Sequence, residues 1–229
     1  MRKIPDKWLG EEIKGSLEKV LSEPQTQVAR PVIPVNIPNL NGFIYVPSTK
    51  LYVAKERNHF NENWNLAHES LKQEDSFMMN MYQFVEFLKH LKFVEPNDEN
   101  LAIYESITAV RDPYRGEWID AKFDSNGNVR YEAKHKTQEK GILTTVEPLQ
   151  KYLAQNKTPG ISLDEWINNH TQQGLPKPKI KNGDLWYWAP INDYVAGFEA
   201  DSDWAGLDCV WNPDSTNAGL GVRAAKIKV

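Results

Sequence analysis

Two capped amphipathic helices set among strand-like sequence do most to restrict what this chain can fold into. Asn63 precedes a run in which Trp64, Ala67, His68 and Leu71 share one face, at the spacing of three and four by which a helix buries a stripe. Asn80 precedes a second run. Gln83 completes a capping box there, and Met81, Phe84, Val85, Leu88 and Leu91 lie along its face. On either side the pattern changes. Gly42–Val53 reads as two short strands about a Pro-Ser turn. Within 101–137, IYESITAV, EWIDAKF and VRYEAKH alternate in part, and Asp124-Ser125-Asn126-Gly127-Asn128 supplies an Asn-Gly hairpin turn. Residues 147–156 predict another helix with Leu149, Tyr152 and Leu153 inward. Ser162 and Glu165 box a further one, stopped by Gly174 and Pro176. From Gly183 the reading is short strands and long loops, closing with GVRAAKIKV as a last strand. Helices and short strands in separate blocks predict an α+β domain.

The first 41 residues read differently. Leu9, Ile13, Leu17, Val20 and Leu21 predict a short helix over 7–22, whose stripe packs on its own domain or on a second subunit. Oligomerisation through this helix is therefore one of two expectations. Five prolines between 23 and 48 (Pro24, Pro31, Pro34, Pro38, Pro47) exclude a central strand, since each removes a ladder donor, and predict an extended connector. The expected organisation is a helical and extended segment over 1–41 followed by one domain over 42–229.

Composition removes several classes of function. The longest apolar runs are a few residues, far short of the roughly 20 that a helical bilayer span needs. Met-Arg-Lys-Ile-Pro-Asp-Lys leads into no apolar h-region, so no secretory signal is expected; cytoplasm, virion, or export by another route remain. A single cysteine, Cys209, excludes an intramolecular disulfide and a multi-cysteine zinc site. Charge is unevenly placed. Residues 1–182 are neutral, and the net −4 lies wholly in 183–229, where seven acids face three basic residues near the end. Such a tail repels phosphate and argues against nucleic acid as a partner.

Catalytic and metal motifs are sparse. The five histidines (His59, His68, His90, His135, His170) form no HExxH-like pair and are expected to be surface or satisfied residues. Asp201, Asp203 and Asp208 offer oxygen ligands for calcium. Trp204 and Leu207 break the alternate-ligand pattern, so solvated loop acids are the expected reading and calcium the alternative. Cys209, with an acid before it and apolar neighbours, is expected to be a buried structural thiol. There is no GxSxG, Walker loop or GxGxxG. What stands out is a tail carrying four of the eight tryptophans among Gly, Ser, Asn and Asp, the residue types of binding loops.

The layout resembles the C-type lectin fold, in the broad branch that includes formylglycine-generating enzymes. Gly206-Leu-Asp-Cys-Val-Trp211-Asn-Pro-Asp-Ser215-Thr-Asn217-Ala-Gly219-Leu-Gly221-Val-Arg223 is similar to the "G…W…SN…GxR" ending of variable proteins of diversity-generating retroelements. That resemblance implies a C-type-lectin-like domain over 42–229, with a variable region over about 183–223 that recognises protein or cell-surface targets and needs no cofactor or catalysis. Diversified codons in such proteins read adenine-adenine-pyrimidine and cannot yield Trp, Lys, Glu, Gln or Met. The resemblance therefore makes Trp186, Trp188, Trp204, Trp211 and Glu199 scaffold, along with Gly219, Gly221 and Arg223. It makes Tyr187, Asp193, Tyr194, Phe198, Ala200, Asp201, Ser202, Asp203, Leu207, Asp208, Asn212 and Asp214 the outward ligand-binding positions. Two alternatives stay open: a relative of the formylglycine-generating enzymes, for which the reactive cysteine pair is missing, and a phage fibre-tip protein with a fixed receptor. The Glu-Pro-Asn triplet of sugar-binding lectins occurs at Glu95-Pro96-Asn97, directly after a helix, and is expected to be coincidental.

Overall fold

A computed structural model describes residues 40–136 and 143–227, together with 7–8 and 11–12. The chain divides into two compact units, Met1–Pro38 and Asn39–Val229. In the first, β1 (Lys7–Trp8) pairs antiparallel with β2 (Glu11–Glu12). At those four residues the predicted helix is replaced by a strand pair, with Gly10, a poor helix former, between the two strands. The remainder of that helix, including Leu9, Ile13, Leu17 and Leu21, and the proline-rich connector up to residue 39 lie outside the described residues.

The second unit is α+β. β3 (Phe43–Val46) and β4 (Leu51–Ala54) form the expected hairpin. α1 (Trp64–Gln73) starts at Asn63, whose side chain accepts the Leu66 amide and so satisfies one of the unpaired donors of the first turn. β5 (Phe77–Met78) leads into α2 (Met81–Lys89), where both bonds of the Asn80–Gln83 capping box are made. A π-helical turn (His90–Val94) extends it. Next come α3 (Asp98–Thr108), β6 (Arg115–Phe123), β7 (Asn128–Lys136), β8 (Leu143–Pro148), β9 (Lys157–Ile161), α4 (Leu163–Asn168), β10 (Leu185–Trp188), β11 (Val195–Ala200), β12 (Ala205–Trp211), β13 (Leu220–Gly221) and β14 (Ala224–Ile227).

Two sheets result. The smaller has the order β3-β4-β14-β5, so the last strand of the unit lies between two of its earliest. The larger has the order β8-β7-β6-β11-β12-β10-β9, with β13 beside β6. α2 is buried nearly all round, including Phe84, Val85, Phe87 and Leu88, and Phe84 meets Phe198 of β11 at a ring separation of 5.5 Å. Trp166 of α4 stacks on that same phenylalanine. At the β6–β7 turn Asp124 accepts the amides of Asn126 and Asn128, and Gly127 takes the left-handed φ of 73° that the turn requires.

Two expected elements differ. The stretch read as a strand at 101–108 is the body of α3. Asn97 caps it, and Asn100, Ile103, Tyr104 and Ile107 are buried at helical spacing, which outweighs the partial alternation. Residues 149–156 form no helix. Their amides are taken elsewhere: Gln150 N–H donates to the Gln173 side chain and Ala154 N–H to the Pro176 carbonyl. Tyr152, expected inward, is 81% exposed.

Candidate ligand-binding face

β10, β11 and β12 carry most of the tail, and the pleat decides which side chains reach solvent. Alternate residues point to opposite faces. On β10, Leu185 and Tyr187 are buried while Trp186 and Trp188 are half-buried on the other side. Parallel pairing sets Trp186 beside Gly206 and Trp188 beside Asp208. Antiparallel pairing sets Glu199 of β11 beside Gly206 and Gly197 beside Asp208. One sheet face therefore carries Trp186, Trp188, Gly197, Glu199, Gly206 and Asp208.

Aromatic rings roof this face, and its glycines make room for them. A Cβ on Gly206 would lie 2.8 Å from ring carbons of both Trp188 and Trp204, and one on Gly197 would lie 3.3 Å from the Trp211 ring. Trp186 and Trp204 stack at 5.2 Å with 15° between their planes, and Trp188 closes the cluster edge-on to Trp204. Trp211 packs edge to face on Trp118 at 4.9 Å.

Beneath the rings lie two carboxyls. Trp211 Nε1 donates to Glu199 Oε1 at 3.1 Å, and the Tyr114 hydroxyl donates to Oε2, also at 3.1 Å. Burial, then the negative charge of Asp208, push Glu199 up to about 7, despite the opposing bonds from Trp211 and Tyr114. Burial likewise raises Asp208 to about 6, against the Val210 amide and the Trp211 indole. Tyr114 is raised by burial and by the carboxylate it serves, so it remains a donor. Tyr114 and Trp211 also line a shallow cleft of about 320 Å³ whose rim is the loop carrying Asn212, Ser215, Thr216 and Asn217. This is a set of hydrogen-bonding groups against aromatic walls, suited to holding a polar ligand.

The expected outward set separates into two groups. Asp193, Tyr194, Ser202, Asp203, Asn212 and Asp214 are exposed, and Asp201 is partly so. All seven lie in the connections before β11, between β11 and β12, and after β12. Tyr187, Phe198, Ala200, Leu207 and Asp208 are buried, and their expected outward placement is corrected. Tyr187, Phe198 and Leu207 fall on the core side of the pleat, Ala200 is covered at the end of a central strand, and Asp208 lies under the tryptophans. Asp208 is also a strand residue, apart from the turn that holds Asp201 and Asp203. Among the described residues no group of three or more His, Cys, Asp or Glu is placed to hold a metal ion.

Of the residues expected to be scaffold, Gly219 and Gly221 have no room for a Cβ, since backbone oxygens of Tyr114 and Asn58 would lie 2.6 and 2.8 Å away. Arg223 is buried and donates through Nε to Glu117 Oε1 at 2.8 Å, and through its terminal nitrogen to the Ala54 and Lys55 carbonyls. Cys209 is fully buried, and burial raises its thiol well above the ordinary range. Tyr114 carried no signal in the sequence, because the register of β6 on β11 brings it to the tail. No helix among the described residues is long and apolar enough to cross a membrane. Comparison with family models, with curated proteins and with solved structures finds no match to this chain.

Proposed function

We propose that this chain is a ligand-binding protein of the C-type-lectin type, which presents a diversified C-terminal surface to a protein or cell-surface target. One observation carries the reading. Apart from Asp184 before β10, the exposed polar side chains of the tail lie in three connections, whereas β11 and β12 between them are buried almost residue by residue. Side chains in such connections can be exchanged without repacking a core, which a diversified surface requires. Pairing of β4 with β14, which brings the beginning and end of the unit together, and the successive helices α1 and α2 that follow the first hairpin agree with the lectin-type resemblance. The tight fit of Gly219, Gly221 and Arg223 agrees with fixed positions bordering a variable region.

The reading is tested on the DNA around the gene. A reverse-transcriptase gene, together with a near-copy of codons 183–223 that differs from them at adenines, supports it. Substitutions across related copies should then concentrate at Asp193, Tyr194, Ser202, Asp203, Asn212 and Asp214. Absence of both elements would leave a binder of fixed specificity.

A further inference from the structure

Three side chains converge over Gly116 of β6. A Cβ there would lie 2.7 Å from the Tyr114 hydroxyl, 2.9 Å from Leu220 Cδ1 and 3.1 Å from Trp211 Cη2, so only glycine leaves the hydroxyl its place. Tyr114, Leu220 and Trp211 also line the cleft of about 320 Å³ at the tail. Behind them Glu199 is buried, with Oε1 accepting from the Trp211 indole and Oε2 from the Tyr114 hydroxyl, each at 3.1 Å. These two donors differ in kind. An indole N–H can only donate, whereas a phenol can donate or accept.

That difference couples the cleft to the carboxyl. While Glu199 is ionised, Tyr114 spends its proton on Oε2 and has only lone pairs for a ligand. A protonated Glu199 must itself donate, and of its two partners only Tyr114 can accept. The proton then sits on Oε2, the Tyr114 hydroxyl reverses, and its own proton turns to the cleft; among the described residues that hydroxyl has no second partner. Burial first, then Asp208, raise Glu199 to about 7, with Asp201 acting in the same direction and Trp211 and Tyr114 opposing. On the far side of Tyr114 stands Arg57, whose Nη1 is committed to the Gly116 and Gly219 carbonyls. The cleft lining carries no charged side chain. At its rim Asn212 and Asn217 spend Oδ1 on the Asp214 and Gly219 amides and keep Nδ2 as a donor. The carboxyls beneath disfavour an anion.

We propose that this cleft binds an uncharged ligand through a carbonyl oxygen that accepts from the Tyr114 hydroxyl, and that binding draws a proton onto Glu199. An amide group of a target has this chemistry. The proposal rests on the reading of the tail as a binding face and not on its diversification, since Tyr114, Glu199 and Trp211 all lie outside the exposed polar set.

Titration of the full chain with N,N-dimethylacetamide, an acceptor without a donor, tests this by NMR of isotope-labelled glutamate carboxyl carbons. Binding should be saturable and about tenfold tighter at about pH 6 than at about pH 8, because only molecules with a protonated Glu199 are competent. Near pH 7, saturation should move the Glu199 signal to its protonated position. Glu199→Gln turns its oxygen to the donor-only indole and its amide N–H to Tyr114. It should therefore bind at about pH 8 as tightly as the parent does at about pH 6. Tyr114→Phe should bind weakly at both, while Glu199 still titrates. Absence of saturable binding, affinity that rises with pH, a pH dependence retained in Glu199→Gln, or Tyr114→Phe binding like the parent would each overturn the proposal. Saturable binding indifferent to pH would overturn it too, yet leave the tail a binding face. A gene without a neighbouring retroelement changes none of these results.

Discussion

The Trp211 indole donates to Glu199 Oε1 at 3.1 Å while its ring covers Gly197 of the same strand. One side chain thus satisfies a buried carboxyl and fills the space that a glycine leaves. Trp211→Phe keeps part of the ring but strands one carboxyl oxygen. It should cost about 1–3 kcal/mol, and Trp211→Ala should cost at least as much through the added cavity. Urea unfolding monitored at 222 nm measures both.

Glu199 and Asp208 make stability depend on pH. Each is raised in the folded state, to about 7 and about 6, so the fold binds protons that the unfolded chain has already released. Their contribution is complete below about pH 4 and is lost as pH rises through 6 and 7. Asp120 acts oppositely: its depressed value stabilises above about pH 4, and that contribution is lost toward pH 2. The melting temperature should therefore peak near pH 4–5 and fall by several degrees towards pH 8. Glu199→Gln should flatten the upper limb. An unchanged limb in the variant would show that the slope comes from another group.

Arg223 and Glu117 form an ion pair in which each side chain is no more than 4% exposed. Removing one partner leaves a buried charge, at a cost of about 3–5 kcal/mol. Arg223→Met and Glu117→Gln should each be strongly destabilising, and the double variant should cost clearly less than their sum. Denaturant midpoints of the three variants decide this.

Stacking of Trp186 on Trp204 should give a coupled near-ultraviolet circular dichroism band. Gly206→Val would place methyl groups where Trp188 and Trp204 now sit, at 2.8 Å from the missing Cβ. It should abolish that band while the far-ultraviolet spectrum is retained. Retention of the near-ultraviolet band would mean that the rings do not rest on Gly206.

The local part of this fold was legible because its signals are local. Asn63, Asn80 with Gln83, Ser162 and the Asp124–Asn128 turn each act within four residues, and each starts the element expected of it. Ser162 N–H, however, donates to the Lys181 carbonyl instead of closing a box with Glu165, and that helix ends at Asn168, short of Gly174. Partial alternation misled at 101–108, where Asn97 and the spacing of Ile103, Tyr104 and Ile107 specify a helix. The site was less legible. Exposure in the tail depends on pleat parity and on pairing with β6, so Tyr187, Phe198, Ala200, Leu207 and Asp208 could not be told from their outward neighbours by residue type. Tyr114 joins Glu199 across 85 positions, and Asp120 meets His68 across 52, distances that only tertiary structure closes.

The central claim is that binding positions and stabilising positions are separate sets, and a paired thermal melt tests it most directly. One variant replaces Tyr194, Ser202, Asp203 and Asp214 with alanine. It leaves Asp193, whose φ is 69°, and Asn212, whose side chain accepts the Asp214 amide. The other carries Phe198→Ala alone. Exposed loop changes usually stay within about 0.5 kcal/mol each, whereas a buried phenylalanine truncated to alanine costs about 3–5 kcal/mol. The fourfold variant should melt within about 5 °C of the parent, and Phe198→Ala at least about 6 °C below it. A fourfold variant that melts as low as Phe198→Ala would contradict the account, because the connections would then be part of what holds the fold together.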